Sequence, residues 1–309
     1  MERQVDNIGT TPIGSEPGDP IAGDPALNND WHVVLRAEEC GRGQSVRVRL
    51  GGRGYTILRR DDGSFAAVAA PSALEPPVAP RATEAYGLVW MCPGSPARGV
   101  PPFPQFADPE YQTVLCGPYG VATSAPRIIE NFLDMAHFPF IHPGILGQEP
   151  DTEVAGYKVE VEAASGDLMA IDCAFWQPPT SVLAHGGSVV NYAYRVAGPL
   201  SAILTKLPEA PGGNGVSILL TVQPIEPETS VAWILFATTN RQKTPLELRA
   251  HQERIFMQDK PILENQQPKR LPLGPKDEMA LPCDRLSIAY RRYLSDNGMR
   301  FGVIPRKSD

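Results

Sequence analysis

The sequence lacks the patterns that would assign it to several specialised classes of protein. Its five cysteines are scattered and form no Cys-x-x-Cys pair, so neither a zinc ribbon nor a disulfide framework is indicated. No apolar run approaches the roughly 20 residues of a membrane-spanning helix, and the N-terminus is polar, unlike a signal peptide. We therefore predict a cytoplasmic protein of a reducing compartment that has no membrane partner.

The sequence also contains few basic residues. The 309 residues include 28 lysines and arginines against 35 aspartates and glutamates, which gives a formal net charge of −7, and the basic residues form only short groups. A nucleic-acid partner requires a basic surface that contacts the phosphate backbone, so this composition argues against one. The 28 glycines and 33 prolines indicate a globular chain that is rich in loops.

Three regions follow one another along the chain. Residues 1–29 are polar and show almost no periodic apolar pattern, which predicts a disordered tail. Residues 30–112 contain short alternating runs between glycine-rich turns, which predict a small antiparallel β domain. Residues 113–309 combine further alternating strands with a long late helix that begins at Thr244 and Pro245. The predicted fold class is α+β, with an antiparallel sheet and a long C-terminal helix in the second domain.

The sharpest chemical signal is a short segment that contains two of the five histidines. Asn131, Asp134 and His137 are spaced three residues apart and lie along one side of a helix predicted over residues 126–136. A proline ends this helix and lets His142 turn back toward His137. Two neutral imidazoles that converge on one point are typical of a metal site, and Asp134 is placed to orient the ligand one turn away.

A third ligand is missing from this segment. Iron(II) sites that activate dioxygen commonly use two histidines and one carboxylate, which leaves open positions for dioxygen and substrate. The best candidate for the carboxylate is Asp259, which shares an apolar helix face with Phe256, Ile262 and Leu263. An unpaired carboxylate is costly to bury, so this side chain requires a partner. From spacing alone, a salt bridge to a nearby Lys or Arg is the commoner explanation.

Taken together, these motifs resemble the catalytic domain of the Rieske non-haem iron oxygenases. The residues that carry the resemblance are Asn131, Asp134, His137, His142 and the later segment Gln258-Asp259-Lys260-Pro261. The similarity is to the branch of aromatic O- and N-demethylases and runs over essentially all the chain after the tail. Within that branch, residues 145–150, 258–271 and 290–305 are most similar to the methylxanthine N7-demethylases.

The resemblance implies a mononuclear Fe(II) centre held by His137, His142 and Asp259. It implies catalytic roles for Asp134, as the bridge through which electrons arrive, and for Asn131, as a supporting residue. The expected reaction is oxidative N-demethylation, with conversion of 7-methylxanthine to xanthine and formaldehyde as the best match. O-demethylation or hydroxylation of another aromatic substrate is an open alternative, because a few pocket residues can redirect such an enzyme.

One departure from the family concerns the electron-carrying cluster. Full members hold a [2Fe–2S] cluster on two loops with Cys-x-His and Cys-x-x-His, whereas residues 71–85 stand at this position and contain neither Cys nor His. The region 30–112 is therefore expected to be a degenerate Rieske-like domain without a cluster. The resemblance then implies that NADH or NADPH and the cluster act through a Rieske-bearing reductase or sister oxygenase subunit. A glutathione-transferase-like protein and a trimeric or hetero-oligomeric assembly are further expectations.

Candidate substrate contacts are less specific. Gln252 lies seven residues before Asp259, on nearly the same helix face, and is a candidate to hydrogen-bond a polar heterocycle, with a solvated residue as the equal alternative. Phe175, Trp176 and Tyr192 are candidates to line an aromatic pocket, although alternating aromatic residues in strands more often belong to a core.

Two other functions remain open. Loss of the cluster fits a non-catalytic subunit that organises a hetero-oligomer or binds an apolar ligand. A zinc hydrolase would use the same two histidines and aspartate, but no separate glutamate is well placed as its general base. The remaining histidines are predicted to lie outside the site: His185 in a turn, His251 at the surface or in packing, and His32 as a structural residue of a strand.

Overall fold

The computed structural model describes residues 23–71, 78–178, 187–207 and 214–306, and antiparallel sheets dominate this part of the chain. Its N-terminal region contains six strands: β1 (His32–Arg36), β2 (Ser45–Leu50), β3 (Arg53–Arg59), β4 (Phe65–Ala69), β5 (Arg81–Ala85) and β6 (Leu88–Cys92). They form two three-stranded sheets, in the orders β1-β6-β5 and β2-β3-β4. The β2–β3 hairpin turns at Gly51 and Gly52, which both have the positive φ that a tight hairpin turn requires.

A seven-stranded antiparallel sheet forms the centre of the molecule. Its strands are β7 (Gln112–Val121), β8 (Lys158–Val161), β9 (Leu168–Gln177), β10 (Ser188–Gly198), β11 (Ser201–Lys206), β12 (Val216–Glu226) and β13 (Thr229–Thr238). Their order in the sheet is β7-β13-β12-β11-β10-β9-β8. The boundary predicted between residues 112 and 113 therefore falls at the first residue of β7. A short parallel pair, β14 (Leu271–Pro272) and β15 (Val303–Ile304), lies outside this sheet.

Helices lie mostly against one face of the large sheet. They are α1 (Pro25–Asn28), α2 (Ala125–Leu133), α3 (Phe138–Ile141), α4 (Pro245–Asn265) and α5 (Arg285–Asp296), with 3₁₀ turns at Ala37–Glu39, Pro104–Phe106 and Pro282–Asp284. The helix α2 packs on β11, β12 and β13, and α4 packs on β7. The predicted α+β class, with an antiparallel sheet and a long late helix, is confirmed. None of the helices in the described residues is long and apolar enough to cross a bilayer.

Both faces of the large sheet are buried, which explains why its central strands are almost continuously apolar. In β13, Ile234 and Phe236 point to the face that carries α2 and α4, and they belong to the larger hydrophobic core. Trp233 and Leu235 point to the opposite face and pack in a second core with Trp90 of β6. The N-terminal region thus covers the back of the sheet and leaves the helix side to form a site.

The prediction of a tail through residue 29 is wrong for residues 24–29. This segment contains α1, and the carboxylate of Asp24 accepts hydrogen bonds from the backbone N–H groups of Arg300 and Phe301 at 2.8 and 2.7 Å. A short polar segment is ordered here because its partners lie at the far end of the chain, where local sequence patterns cannot reveal them. Residues 1–22 of the predicted tail lie outside the described residues.

The helix predicted over residues 126–136 ends earlier, at Leu133. The carboxylate of Asp134 accepts hydrogen bonds from the backbone N–H groups of Ala136 and His137 at 2.9 and 3.1 Å. A side chain that bonds the local backbone in this way competes with helix continuation. Asp134 and His137 are therefore brought together by a turn between α2 and α3 and not by a shared helix face.

Candidate metal centre

Two elements bring the candidate ligands to one place. His137 and His142 flank the short helix α3, as its N-cap and C-cap residues. Asp259 lies in α4, whose first turn is fixed by a capping box in which Thr244 and Glu247 bond each other's backbone N–H groups. Because α4 is anchored at this end and packs on β7, Asp259 is held against the turn that carries the two histidines.

The three side chains converge closely. Nε2 of His142 lies 3.0 Å from Oδ1 of Asp259, and Nε2 of His137 lies 3.5 Å from the same oxygen. His137, His142 and Asp259 each offer one ligand atom, and these three atoms all lie within 4.8 Å of one another. Among the described residues, this is the single group of His, Cys, Asp or Glu side chains with such an arrangement.

The outer nitrogen of each imidazole is held by a hydrogen-bond acceptor. Nδ1 of His137 donates to Oδ2 of Asp134 at 2.9 Å, and Nδ1 of His142 donates to Oε1 of Gln258 at 2.9 Å. Each bond places the proton on Nδ1 and leaves the Nε2 lone pair directed toward Asp259. Sequence reasoning assigned no role to Gln258, although it stands next to Asp259.

One atom of the site lacks a partner that a cation would supply. Oδ1 of Asp259 is buried and makes no hydrogen bond, despite its short distances to the two imidazoles. A buried carboxylate oxygen without a partner is costly, and a divalent cation between the three side chains would satisfy it. Two imidazoles and one carboxylate match the facial set that non-haem iron(II) takes, so the residues present fit this metal.

Electrostatics act in opposite directions on the carboxylate of Asp134 and on the imidazole of His142. Burial alone would raise the pKa of Asp134, but the hydrogen bonds from His137 and the backbone outweigh it and lower the pKa. Burial likewise opposes protonation of His142, but its contact with the Asp259 carboxylate outweighs burial and raises the pKa of this imidazole. A cation would compete with that proton for Nε2.

A cavity of about 790 Å³ opens beside the three ligands, between α4 and the large sheet. Its walls are mostly apolar, and Leu220, Ile234 and Phe236 are among them. Two predicted substrate contacts, Gln252 and Tyr192, line it, and so does Asn131. Gln252 is buried, so its prediction as a possible solvated residue is wrong.

The other two predicted aromatic contacts lie elsewhere. Phe175 is buried in the core, with its ring 5.6 Å from that of Phe138, and Trp176 on the opposite face of β9 packs against Gly187. Neither belongs to the described residues that line the cavity. Phe175 therefore lies behind the wall of the cavity, because strand alternation fixes its direction but not its distance from the ligands.

Several polar cavity residues were not predicted from the sequence. They include Gln177, Lys206, Lys243, His251 and Arg254. The expectation that His251 lies outside the site is wrong, because its position on α4 turns it toward the cavity. His32 is buried and hydrogen-bonded to the backbone of Leu27, as a structural residue. His185 lies outside the described residues.

Comparison with known proteins gives three informative similarities. The sequence family described as the vanillate O-demethylase oxygenase C-terminal domain matches residues 121–297. The chain is 40% identical over 276 residues to the probable methylxanthine N7-demethylase NdmC of Pseudomonas sp. (strain TJI-51), covering 89% of this chain and 96% of that protein. It is 27% identical over 216 residues to the methylxanthine N1-demethylase NdmA of Pseudomonas putida, covering 69% of this chain and 59% of that protein.

Solved structures share the fold. The structure of NdmB from Pseudomonas putida superimposes with a TM-score of 0.71 at 20% sequence identity, and the match covers 89% of this chain and 92% of the other. The match extends well beyond residues 121–297, because it covers 89% of the chain.

Proposed function

This chain belongs to the Rieske non-haem iron oxygenase family, as a demethylase-type oxygenase similar to catalytic subunits, and from that premise we propose that it removes the N7-methyl group of 7-methylxanthine. In the proposed reaction, one oxygen atom of O2 is inserted into a C–H bond of the methyl group. The other oxygen atom is reduced to water, which consumes two electrons and two protons. The resulting hemiaminal releases formaldehyde and leaves xanthine. The 40% identity to a probable N7-demethylase, over almost the whole of both proteins, supports this substrate.

We propose that His137, His142 and Asp259 hold a mononuclear iron(II) ion. The observation that carries this proposal is the convergence of the three side chains on one point, with an Asp259 oxygen that makes no hydrogen bond. When bound, the iron would supply the activation of dioxygen, and three protein ligands would leave positions free for dioxygen and substrate. The protein's own contribution is to fix both imidazoles through Asp134 and Gln258.

Asp134 is the proposed route by which electrons reach the site. Its carboxylate contacts His137 on one side, and its side chain is about one quarter exposed, so it links a ligand to the surface. The chain has no Cys and no His in residues 71–85, where a cluster would be held, so the proposal requires an external Rieske-bearing reductase or sister subunit. Residues 30–112 would then be a cluster-free domain beside the catalytic region 113–309, in a trimeric or hetero-oligomeric assembly that includes a glutathione-transferase-like protein.

In the proposed reaction, a flat heterocycle would occupy the cavity beside the three ligands. Its apolar walls would exclude water from the reacting methyl group, which protects a reactive site from side reactions. The buried amide of Gln252 would hydrogen-bond a ring carbonyl or nitrogen, and Tyr192 and Asn131 would border the same space.

Metal analysis of anaerobically purified chain tests this proposal first. We expect about one iron per chain and no acid-labile sulfide, and loss of the iron in His137→Ala. Supplied with a Rieske-bearing reductase and NADH or NADPH, the native chain should release formaldehyde from 7-methylxanthine. Zinc in place of iron would support a hydrolase, and absence of any metal after reconstitution would support a non-catalytic subunit. Sulfide would contradict the cluster-free N-terminal region.

A further inference from the structure

Helix α4 runs along the cavity and places side chains at increasing distances from the candidate metal centre. Asp259, Ile255 and His251 line the cavity at successive turns of this helix. At a rise of 1.5 Å per residue, His251 stands about 12 Å from Asp259 along the helix axis. A bicyclic heterocycle with its methyl group at the metal centre would extend along this stretch of α4.

His251 lies between the exposed and the buried face of α4. Ala250 and Arg254 are exposed, whereas Leu248 and Gln252 are buried. The imidazole of His251 is half-buried and forms part of the cavity wall. It is therefore partly withdrawn from water and within reach of a ligand in the cavity.

The ring of His251 differs from the rings of the other described histidines. Those of His32, His137 and His142 are each held by a hydrogen bond to another group of the protein. Within the described ranges, the ring of His251 makes no such bond. A partly desolvated polar group is stabilised when a ligand supplies its hydrogen-bond partner. Because no protein group fixes the tautomer, either ring nitrogen of His251 can carry the proton that the ligand requires.

The imidazole of His251 is uncharged at neutral pH. Burial lowers its pKa, and the positive charges of Lys243 and Arg254 lower the pKa further. A neutral imidazole offers one N–H donor and one nitrogen acceptor, whereas an imidazolium offers two donors. The buried amide of Gln252, at the next position of the helix, also offers both kinds of group. This part of the cavity is thus complementary to a ring edge on which an N–H group stands beside a carbonyl.

We propose that His251 is a specificity-determining residue that hydrogen-bonds an unsubstituted ring N–H and its neighbouring carbonyl, at the end of the substrate remote from the reacting methyl group. The inference rests on the proposed function and narrows its substrate class to flat rings with such an edge. In 7-methylxanthine, an N–H group stands on each side of the C2 carbonyl, whereas 1,3,7-trimethylxanthine carries methyl groups at both positions. A site that hydrogen-bonds these groups rejects a ligand without them, because its own polar groups are left unpaired.

Two pairs of ligands that differ in N-methylation test the inference. They are 7-methylxanthine against 1,3,7-trimethylxanthine, and phthalimide against N-methylphthalimide. We would measure their dissociation constants for the full chain, purified anaerobically, by titration calorimetry at neutral pH. The variants are His251→Leu, which removes both polar ring atoms, and His251→Gln, which restores a donor and an acceptor. The matched control is Glu253→Leu, because Glu253 lies on α4 but is not among the described residues that line the cavity.

The native chain and Glu253→Leu should bind the N–H member of each pair about tenfold more tightly than its N-methylated counterpart. His251→Gln should keep most of this preference, and His251→Leu should reduce it to within about twofold. A preference that persists in His251→Leu would show that the cavity walls exclude the added methyl groups, and it would overturn the inference. Equal affinities in the native chain, or no binding of either N–H ligand, would also overturn it. Urea unfolding of each variant distinguishes a lost preference from a lost fold.

Turnover of 7-methylxanthine separates this inference from the proposed function. If 7-methylxanthine is neither bound nor demethylated while the phthalimide preference holds and depends on His251, the substrate proposal fails and the role of His251 stands. If 7-methylxanthine is demethylated and His251→Leu leaves both preferences unchanged, the role of His251 fails and the substrate proposal stands.

Discussion

The N-terminal and catalytic regions each bury a carboxylate that has one oxygen without a hydrogen bond. Oδ1 of Asp259 faces the Nε2 atoms of two histidines within 3.5 Å. Oδ1 of Asp30 also makes no hydrogen bond, but its charged neighbours are Arg98 and Asp167. Burial without a partner is therefore common to both, and only the convergence of imidazole nitrogens distinguishes a candidate ligand.

Two buried histidines show the same contrast. His32 is 1% exposed, and its Nε2 donates to the carbonyl oxygen of Leu27 at 2.8 Å. This nitrogen is therefore used in a structural hydrogen bond. His142 is equally buried, but its proton lies on Nδ1 toward Gln258 and its Nε2 points to Asp259. Burial lowers the pKa of His32 to about 4, whereas the Asp259 carboxylate raises the pKa of His142. The two histidines therefore differ in which ring nitrogen carries the proton and in which group the Nε2 atom faces.

The largest expected effect comes from replacing the carboxylates of Asp259 and Asp30 with amides. Asp259→Asn should lose its iron and all detectable turnover, because an amide is a far weaker ligand for a hard divalent cation. Asp30→Asn should keep both, because among the described residues Asp30 belongs to no group of three side chains that could hold a metal ion. Iron per chain and formaldehyde release measure the two effects. Loss of iron in Asp30→Asn would contradict the inference that only Asp259 of these two carboxylates is a candidate metal ligand.

A smaller loss is expected at Asp134, whose side chain is about one quarter exposed. Its oxygens already accept hydrogen bonds from Ala136 N–H and from the backbone and Nδ1 of His137, so we expect it to orient a ligand and not to act as one. Asp134→Asn should keep the iron but slow reductase-dependent turnover about 100-fold. Iron content and single-turnover reduction rates report these separately. Native reduction rates in this variant would remove Asp134 from the proposed electron route.

Asp30 and His32 should contribute opposite pH dependences to the free energy of unfolding. Burial raises the pKa of Asp30 from 3.8 to about 6, so between these values the folded chain holds a proton that the unfolded chain has lost. Its contribution to the free energy of unfolding therefore falls by about 3 kcal/mol as pH rises from 4 to 6. The pKa of His32 is lowered from 6.5 to about 4, so its contribution rises by about 3 kcal/mol over pH 4 to 6.5.

These opposite slopes largely cancel in the native chain. Asp30→Asn should leave a free energy of unfolding that increases with pH between 4 and 6.5, and His32→Gln should leave one that decreases. Urea-induced unfolding at several pH values measures both slopes. Variants whose pH dependence parallels that of the native chain would show that neither group titrates in this window.

Local sequence patterns were sufficient for part of the fold and for two of the candidate ligands. The alternating runs between turn residues in residues 30–112 predicted short antiparallel strands, and the structure has β1 to β6 in this region. Short-range spacing nominated His137 and His142, whereas Asp259 was expected as a ligand because of the family resemblance, since spacing alone favoured a salt bridge. These signals depend on neighbours within one or two turns of chain.

Features that depend on distant contacts escaped prediction. The role of Gln258 appears only when α4 lies beside α3, because its partner His142 is 116 residues away in sequence. The ordering of α1 depends on Asp24 and its contacts with the chain near residue 300. The cationic cavity groups come from strand ends and from α4, and no local pattern indicates that they face a common space.

The smallest expected effect concerns two aromatic residues that the sequence could not distinguish. Phe175 and Tyr192 lie on the neighbouring strands β9 and β10, but only Tyr192 lines the cavity, while Phe175 packs behind Phe138. Phe175→Leu should lower the free energy of unfolding by about 1–2 kcal/mol through imperfect packing and leave KM within about twofold. Tyr192→Leu should change KM several-fold for a similar loss of stability. Urea unfolding and steady-state kinetics on both variants decide the assignment, because equal changes in KM would place Phe175 at the substrate after all.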